Sequence, residues 1–122
     1  MAKILVIDDE EQIRFLLIRM LTRDGHEVFV AQDGLEGVKI FYELQPDLVI
    51  TDIVMPNKDG IELIADLRSS NPNQPIIAMS GGRRLFSAAS DHIETEITGV
   101  KTLLQKPFTL QQLRESVELA LS

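Results

Sequence analysis

The chain has 122 residues, 44% of them hydrophobic, which is close to the commonest size for one domain and enough to build a core. It has no cysteine, which excludes disulfides, thiolate chemistry and zinc–thiolate sites, and its net charge of −7 argues against nucleic-acid binding, which needs a basic footprint. No apolar run exceeds four residues and no signal peptide opens the chain, so neither a membrane span nor secretion is expected and a cytoplasmic protein fits.

KILVID (3–8) reads as a strand buried on both faces, and it runs directly into Asp8, Asp9, Glu10 and Glu11. Asp9 is a candidate helix N-cap, while Glu10 and Glu11 fall in a first helical turn, where the helix dipole favours negative charge. Ile13, Leu16, Leu17, Met20 and Leu21 form the stripe of that helix, stopped at Gly25. HEVFVA (26–31) is a second strand, ending at Ala31-Gln32 without a reactive group. Asp33 caps a helix striped by Leu35, Val38, Phe41 and Tyr42, which stops before Pro46.

PDLVITD (46–52) is a third strand and ends in Asp52. Asp59 precedes a helix striped by Ile61, Ile64 and Leu67. PIIAMS (75–80) is a fourth strand, ending in Ser80, and 83–98 reads as a helix with Leu85, Ala89, Ile93 and Ile97 on one face. VKTLLQ (100–105) is the fifth strand, followed by Lys106-Pro107. Thr109-x-x-Gln112 reads as a capping box for a final helix striped by Leu110, Leu113, Val117 and Leu121.

Five β-α units in succession predict an α/β fold: a (βα)5 doubly wound, five-stranded parallel sheet in a three-layer sandwich. Such sheets bind ligands outside the carboxyl ends of their strands, near the switch in strand order. Asp8-Asp9, Asp52, Ser80 and Lys106 all stand at those ends. Two carboxylates ~4 Å apart repel by about 4 kcal/mol at an effective dielectric near 20. Lys106 offsets one of three such charges, and the remainder calls for a divalent cation or raised pKa values. Oxygen ligands favour Mg2+, with Mn2+ as the variant. His26 and His92 read as surface or strand-edge residues, not ligands.

The chemistry that suits these groups is phosphoryl transfer, with Asp52 as carboxylate nucleophile, Ser80 as hydroxyl donor and Lys106 as point charge. The stretches ILVIDDEE, LVITDIVMPNKDGIEL, IIAMS and LLQKPF resemble the receiver domain of two-component response regulators over essentially the whole chain. The resemblance implies a flavodoxin-like strand order 2-1-3-4-5. It implies that Asp52 accepts a phosphoryl group from a histidine kinase or phosphotransfer protein. Asp8, Asp9, Asp52 and the backbone carbonyl of Val54 would then bind Mg2+, Ser80 and Lys106 would contact the phosphoryl group, and Pro107 would match a cis-proline. Met55-Pro56 and Asp59-Gly60 match the family's loop after the phosphoacceptor.

Three departures stand out. Leu103 occupies the place of a switch aromatic. The stretch from Ser80 to Lys106 is longer than is common in the family and opens on Gly81-Gly82-Arg83-Arg84, a solvated loop or one whose arginines meet phosphoryl or a partner carboxylate. Val54 and Gly82, which would flank the phosphoryl group, have no polar side chain to orient water, so slow self-dephosphorylation is expected.

The leading reading is therefore a switch and not an enzyme. Phosphorylation would shift the face built on strands four and five and be read by a downstream protein, with no direct nucleic acid or membrane contact and with room for a phosphorylation-dependent dimer. Residues 1–122 read as one receiver domain without an output domain, whether a stand-alone regulator or a piece of a longer protein. Three alternatives are weaker. A haloacid-dehalogenase-type phosphatase needs a second Asp where Val54 stands. A nucleotide or flavin binder needs a Gly- or Ser/Thr-rich loop where the four acids stand. A phosphorylation-independent receiver-fold adaptor sits badly with a complete acidic site, though Leu103 leaves it room.

Overall fold

The computed structural model describes residues 1–55, 59–80 and 102–122. In chain order these form β1 (Lys3–Ile7), α1 (Glu11–Arg23), β2 (Glu27–Ala31), α2 (Gly34–Leu44), β3 (Leu48–Asp52), α3 (Gly60–Ser70), β4 (Ile76–Ser80), β5 (Thr102–Gln105) and α4 (Leu110–Leu121). All four strand pairings are parallel and the sheet order is β2-β1-β3-β4-β5. This is the expected flavodoxin-like α/β fold. The predicted helix 83–98 lies outside the described residues.

The central strands explain themselves by their side chains. Alternate residues of a strand face opposite sides of a sheet. Leu5, Ile7 and Val49 enter a core with Phe41 of α2 and Leu63, Ile64 and Leu67 of α3. Ile4, Val6, Leu48 and Ile50 enter a second core with Leu17 and Leu21 of α1 and Leu113 and Val117 of α4. β1, β3 and β4 are buried from end to end except at Lys3, whereas the edge strands β2 and β5 are only partly buried. Each fully buried large apolar side chain contributes about 1.5–3 kcal/mol, so these two cores can support costly polar groups at the carboxyl edge.

The helix starts follow their caps. Asp33 accepts the Glu36 N–H, Asp59 accepts the Glu62 N–H, and Thr109 with Gln112 forms the full capping box. Helix α1 departs from expectation: its N-cap is Glu10, not Asp9, and the Glu10 side chain makes no capping bond. The reason is local, because the carboxylate of Asp8 takes the Glu10 N–H at 2.9 Å and sets where the helix begins. Gly25, at φ 91°, lies in the left-handed region just after α1 and ends it as expected. Three helical stripes are corrected in part. Leu16, Leu35, Tyr42 and Leu121 are exposed, and α2 buries Phe41 as expected but flanks it with Gly34 and Gly37 in place of Leu35 and Tyr42.

The turn from β3 to α3 is the tightest approach in the fold. The Gly60 N–H donates to the Ile53 carbonyl at 2.7 Å. A Cβ on Gly60 would lie 2.3 Å from the Asp52 carbonyl oxygen and 2.6 Å from the Ile53 Cα. Only glycine fits there, and that contact fixes α3 against the end of β3. Among the described residues no helix is long and apolar enough to cross a membrane.

Candidate functional site

Sheet register brings the strand-end residues level. β1 and β3 pair up to Ile7 with Thr51, so Asp8 and Asp52 follow side by side. The Asp8 N–H continues the ladder to Ala31 O at 3.1 Å, and the Lys106 N–H does so to Ser80 O at 2.9 Å. Lys106, from the far end of the sequence, thus reaches across the edge. Its Nζ donates to Asp8 Oδ2 at 2.8 Å, to Asp52 Oδ2 at 3.1 Å and to Glu10 Oε1 at 3.3 Å.

The remaining oxygens are also engaged. Asp52 Oδ1 accepts the Val54 N–H at 3.3 Å, and the Thr51 hydroxyl donates to the Asp52 carbonyl at 3.0 Å. Asp8 gives Oδ1 to the Glu10 N–H, while its carbonyl accepts Arg14 Nη1 at 2.8 Å. Asp8 is wholly buried, and Asp52, Ser80 and Lys106 are nearly so. Burial pushes the Asp8 carboxyl above its ordinary range, against the opposing hydrogen bonds from Lys106 and the Glu10 N–H. Burial also works against the Lys106 ammonium, but hydrogen bonds and attraction from Asp8 and Asp52 outweigh it and raise its pKa to about 12.

Single oxygens of Asp8, Glu10 and Asp52 lie within 4.8 Å of one another. Three carboxylates and one ammonium leave an excess of two negative charges, and every donor is oxygen. That set suits a hard divalent cation such as Mg2+. His26 belongs to another place: its Nδ1 accepts the Ala2 N–H at 3.3 Å, at the opposite end of β1. His92 lies outside the described residues.

Of the residues read from the sequence, Asp8, Asp52 and Lys106 meet directly, and Ser80 ends the neighbouring strand. Asp9 is exposed and stands outside the group of three carboxylates. Val54 is half-buried beside Asp52, the Lys106–Pro107 bond is cis, and Leu103 on β5 is 36% exposed. Gly81, Gly82, Arg83, Arg84 and Pro56 lie outside the described residues. Two further residues belong to the site. The sequence presents Glu10 as a dipole partner only, and Arg14 carries no signal beyond its place one turn into α1, where side chains lean back toward the N-terminus.

Comparison with known proteins decides the family. The model of the response regulator receiver domain matches residues 4–118. The chain belongs to the response regulator receiver family. Among its relatives, response regulator MprA of Mycobacterium sp. (strain KMS) is 34% identical over 112 residues, covering 92% of this chain and 47% of the relative. The chain thus spans about half the length of the MprA relatives it matches. Sporulation initiation phosphotransferase F of Bacillus subtilis (strain 168) is 33% identical over 116 residues, covering 95% of this chain and 90% of the relative. Among solved structures, response regulator TrrA of Thermotoga maritima in complex with Mg2+–BeF superposes with TM-score 0.84 at 32% identity, covering 98% of this chain and 99% of that one. Receiver domains are signalling regulators of two-component systems that interact with histidine kinases or phosphotransfer proteins. They bind Mg2+ at an acidic cluster, and Asp8, Glu10 and Asp52 form such a cluster in this receiver.

Proposed function

We propose that this receiver is a phosphoacceptor switch in which Asp52 takes a phosphoryl group from a histidine kinase or phosphotransfer protein. One observation carries the reading: Lys106 Nζ bridges the buried carboxylates of Asp8 and Asp52 at the carboxyl edge of the sheet. A structural ion pair needs one acid, but here an excess of negative charge is held in place beside a fixed cation. In the reaction an Asp52 oxygen bonds to phosphorus as the donor's phosphorus–nitrogen bond breaks, and the electron pair leaves with the imidazole. Lys106 offsets charge on the phosphoryl oxygens, and Ser80 supplies a hydroxyl donor from the end of β4. Asp8, Asp52 and the Val54 carbonyl would hold Mg2+, with the exposed Asp9 turning in from outside the present cluster to join them, and the ion would supply further positive charge against those oxygens when bound. The Mg2+–BeF complex of TrrA and the phosphotransferase relative support this reading.

On the same reading residues 1–122 act as one receiver unit. Phosphorylation biases the face formed by β4, β5 and Leu103, and a downstream protein reads the change. Val54 offers no polar side chain to orient water, so the aspartyl phosphate decays slowly. The test is to incubate the protein and its Asp52→Asn variant with acetyl phosphate, with and without Mg2+, and weigh both intact. One phosphoryl mass is expected on the parent, only with Mg2+, and none on the variant. Equal mass on the variant, or none on the parent, would defeat the proposal. Following the parent after donor removal tests the slow decay, and loss within seconds would contradict it.

A further inference from the structure

Glu10 stands at the mouth of the site in an unusual position for its residue type. Asp, Asn, Ser or Thr at a helix N-cap stabilises the helix by bonding a free N–H of the first turn. Glu10 is the N-cap of α1 and makes no such bond. Its own N–H is held by Asp8, and its carboxylate lies against Lys106 instead.

An ammonium has three N–H donors. Among the described residues those of Lys106 meet Asp8 at 2.8 Å, Asp52 at 3.1 Å and Glu10 at 3.3 Å. The Asp8 and Asp52 side chains are 0% and 7% exposed, whereas that of Glu10 is 52% exposed. Glu10 therefore makes the longest contact and can swing into solvent by side-chain rotation alone. Asp8 and Asp52 cannot leave without carrying a buried charge across the core edge.

We propose that Glu10 is a positioning residue that holds the third donor of Lys106 in the unphosphorylated protein and yields it to the incoming phosphoryl group. Glu10 acts this way only if Asp52 is the phosphoacceptor, as proposed above. The exchange swaps one acceptor for another, and the proton stays on Nζ. Two consequences of opposite sign follow from the same charge. Beside Asp8 and Asp52 it strengthens the hold on a divalent cation. Toward an anionic phosphodonor it is a like charge and a competitor for Lys106, so it slows phosphorylation.

The test uses the full chain and two variants. In Glu10→Gln, titration with Mg2+ alone, followed by amide chemical shifts, should show affinity lowered by about threefold or more. At Mg2+ concentrations saturating for each protein, phosphorylation of Asp52 by acetyl phosphate should be faster by about threefold or more. Glu10→Asn removes the same charge while supplying the missing cap, so it protects against loss of fold and must reproduce both effects. A residue that merely shaped the start of α1 would move the two readouts together or not at all. Absence of either effect in either variant overturns the role of Glu10. Failure of the parent to gain a phosphoryl mass, or gain of it by Asp52→Asn, overturns the phosphoacceptor reading and this role with it.

Discussion

Replacing Lys106 by methionine removes the counter-ion of two buried carboxylates while keeping most of the aliphatic stem. At about 3 Å and an effective dielectric near 20, each contact attracts by roughly 5–6 kcal/mol before desolvation. Desolvation returns several kcal/mol per ion, so the net is much smaller. The rise of the Lys106 pKa from its ordinary 10.5 to about 12 corresponds to about 2 kcal/mol in favour of the folded, charged form. Because the folded value lies above the unfolded one, that contribution is full below pH 10.5 and is lost as pH rises toward 12. Truncation costs more than this, since it also strands Asp8 and Asp52. Removing one partner of a buried pair typically costs about 3–5 kcal/mol. Urea unfolding at neutral pH, with divalent ions chelated, should therefore show the midpoint falling by about 1.5–2.5 M for a slope near 2 kcal/mol per molar. Added Mg2+ should stabilise Lys106→Met more than the parent, because the variant has one more uncompensated charge for a cation to meet. A loss below about 1 kcal/mol, or an equal response to Mg2+, would refute the idea that Lys106 compensates this edge.

Two further substitutions probe the scaffold. Gly60→Ala sets a methyl group against the Asp52 carbonyl and Ile53 Cα, both backbone atoms that no rotamer change can relieve, so it should cost more than the ~1–3 kcal/mol of ordinary overpacking and should slow Asp52 phosphorylation through displacement of β3; urea unfolding and intact-mass kinetics read the two effects. Thr109→Ala deletes the capping box of α4 and should cost about 1 kcal/mol, measured by thermal unfolding, with Thr109→Asp restoring most of it.

Much of this molecule was legible in its residues. Near-continuous apolar runs marked the strands, because parallel strands covered by helices on both faces have no solvent side to alternate with. Asp33, Asp59 and Thr109 marked helix starts, since a cap is a local bond made within three residues. The acidic run was harder. Along a chain, Asp9 and Glu10 are equivalent, and which of them turns to the sheet edge depends on how Asp8 is pinned. Here Ala31 at the end of β2, and Arg14 and the Glu10 N–H at the start of α1, hold Asp8 between two elements, and that joint hold is not visible as a sequence pattern. Leu35 and Tyr42 show the same limit on the core. They fit a helical period, but glycines at 34 and 37 let α2 approach the sheet on another face.

The bond between Lys106 and Asp8 joins positions 98 apart in sequence. A chain that ends before β5 therefore has both acids and no lysine to answer them. As the polypeptide leaves the ribosome, β1 and β3 can pair long before Lys106 exists, and the half-built edge repels itself until the last strand docks. The charge balance of this edge is thus tied to completion of the sheet, because only a docked β5 carries Lys106 up to Asp8 and Asp52.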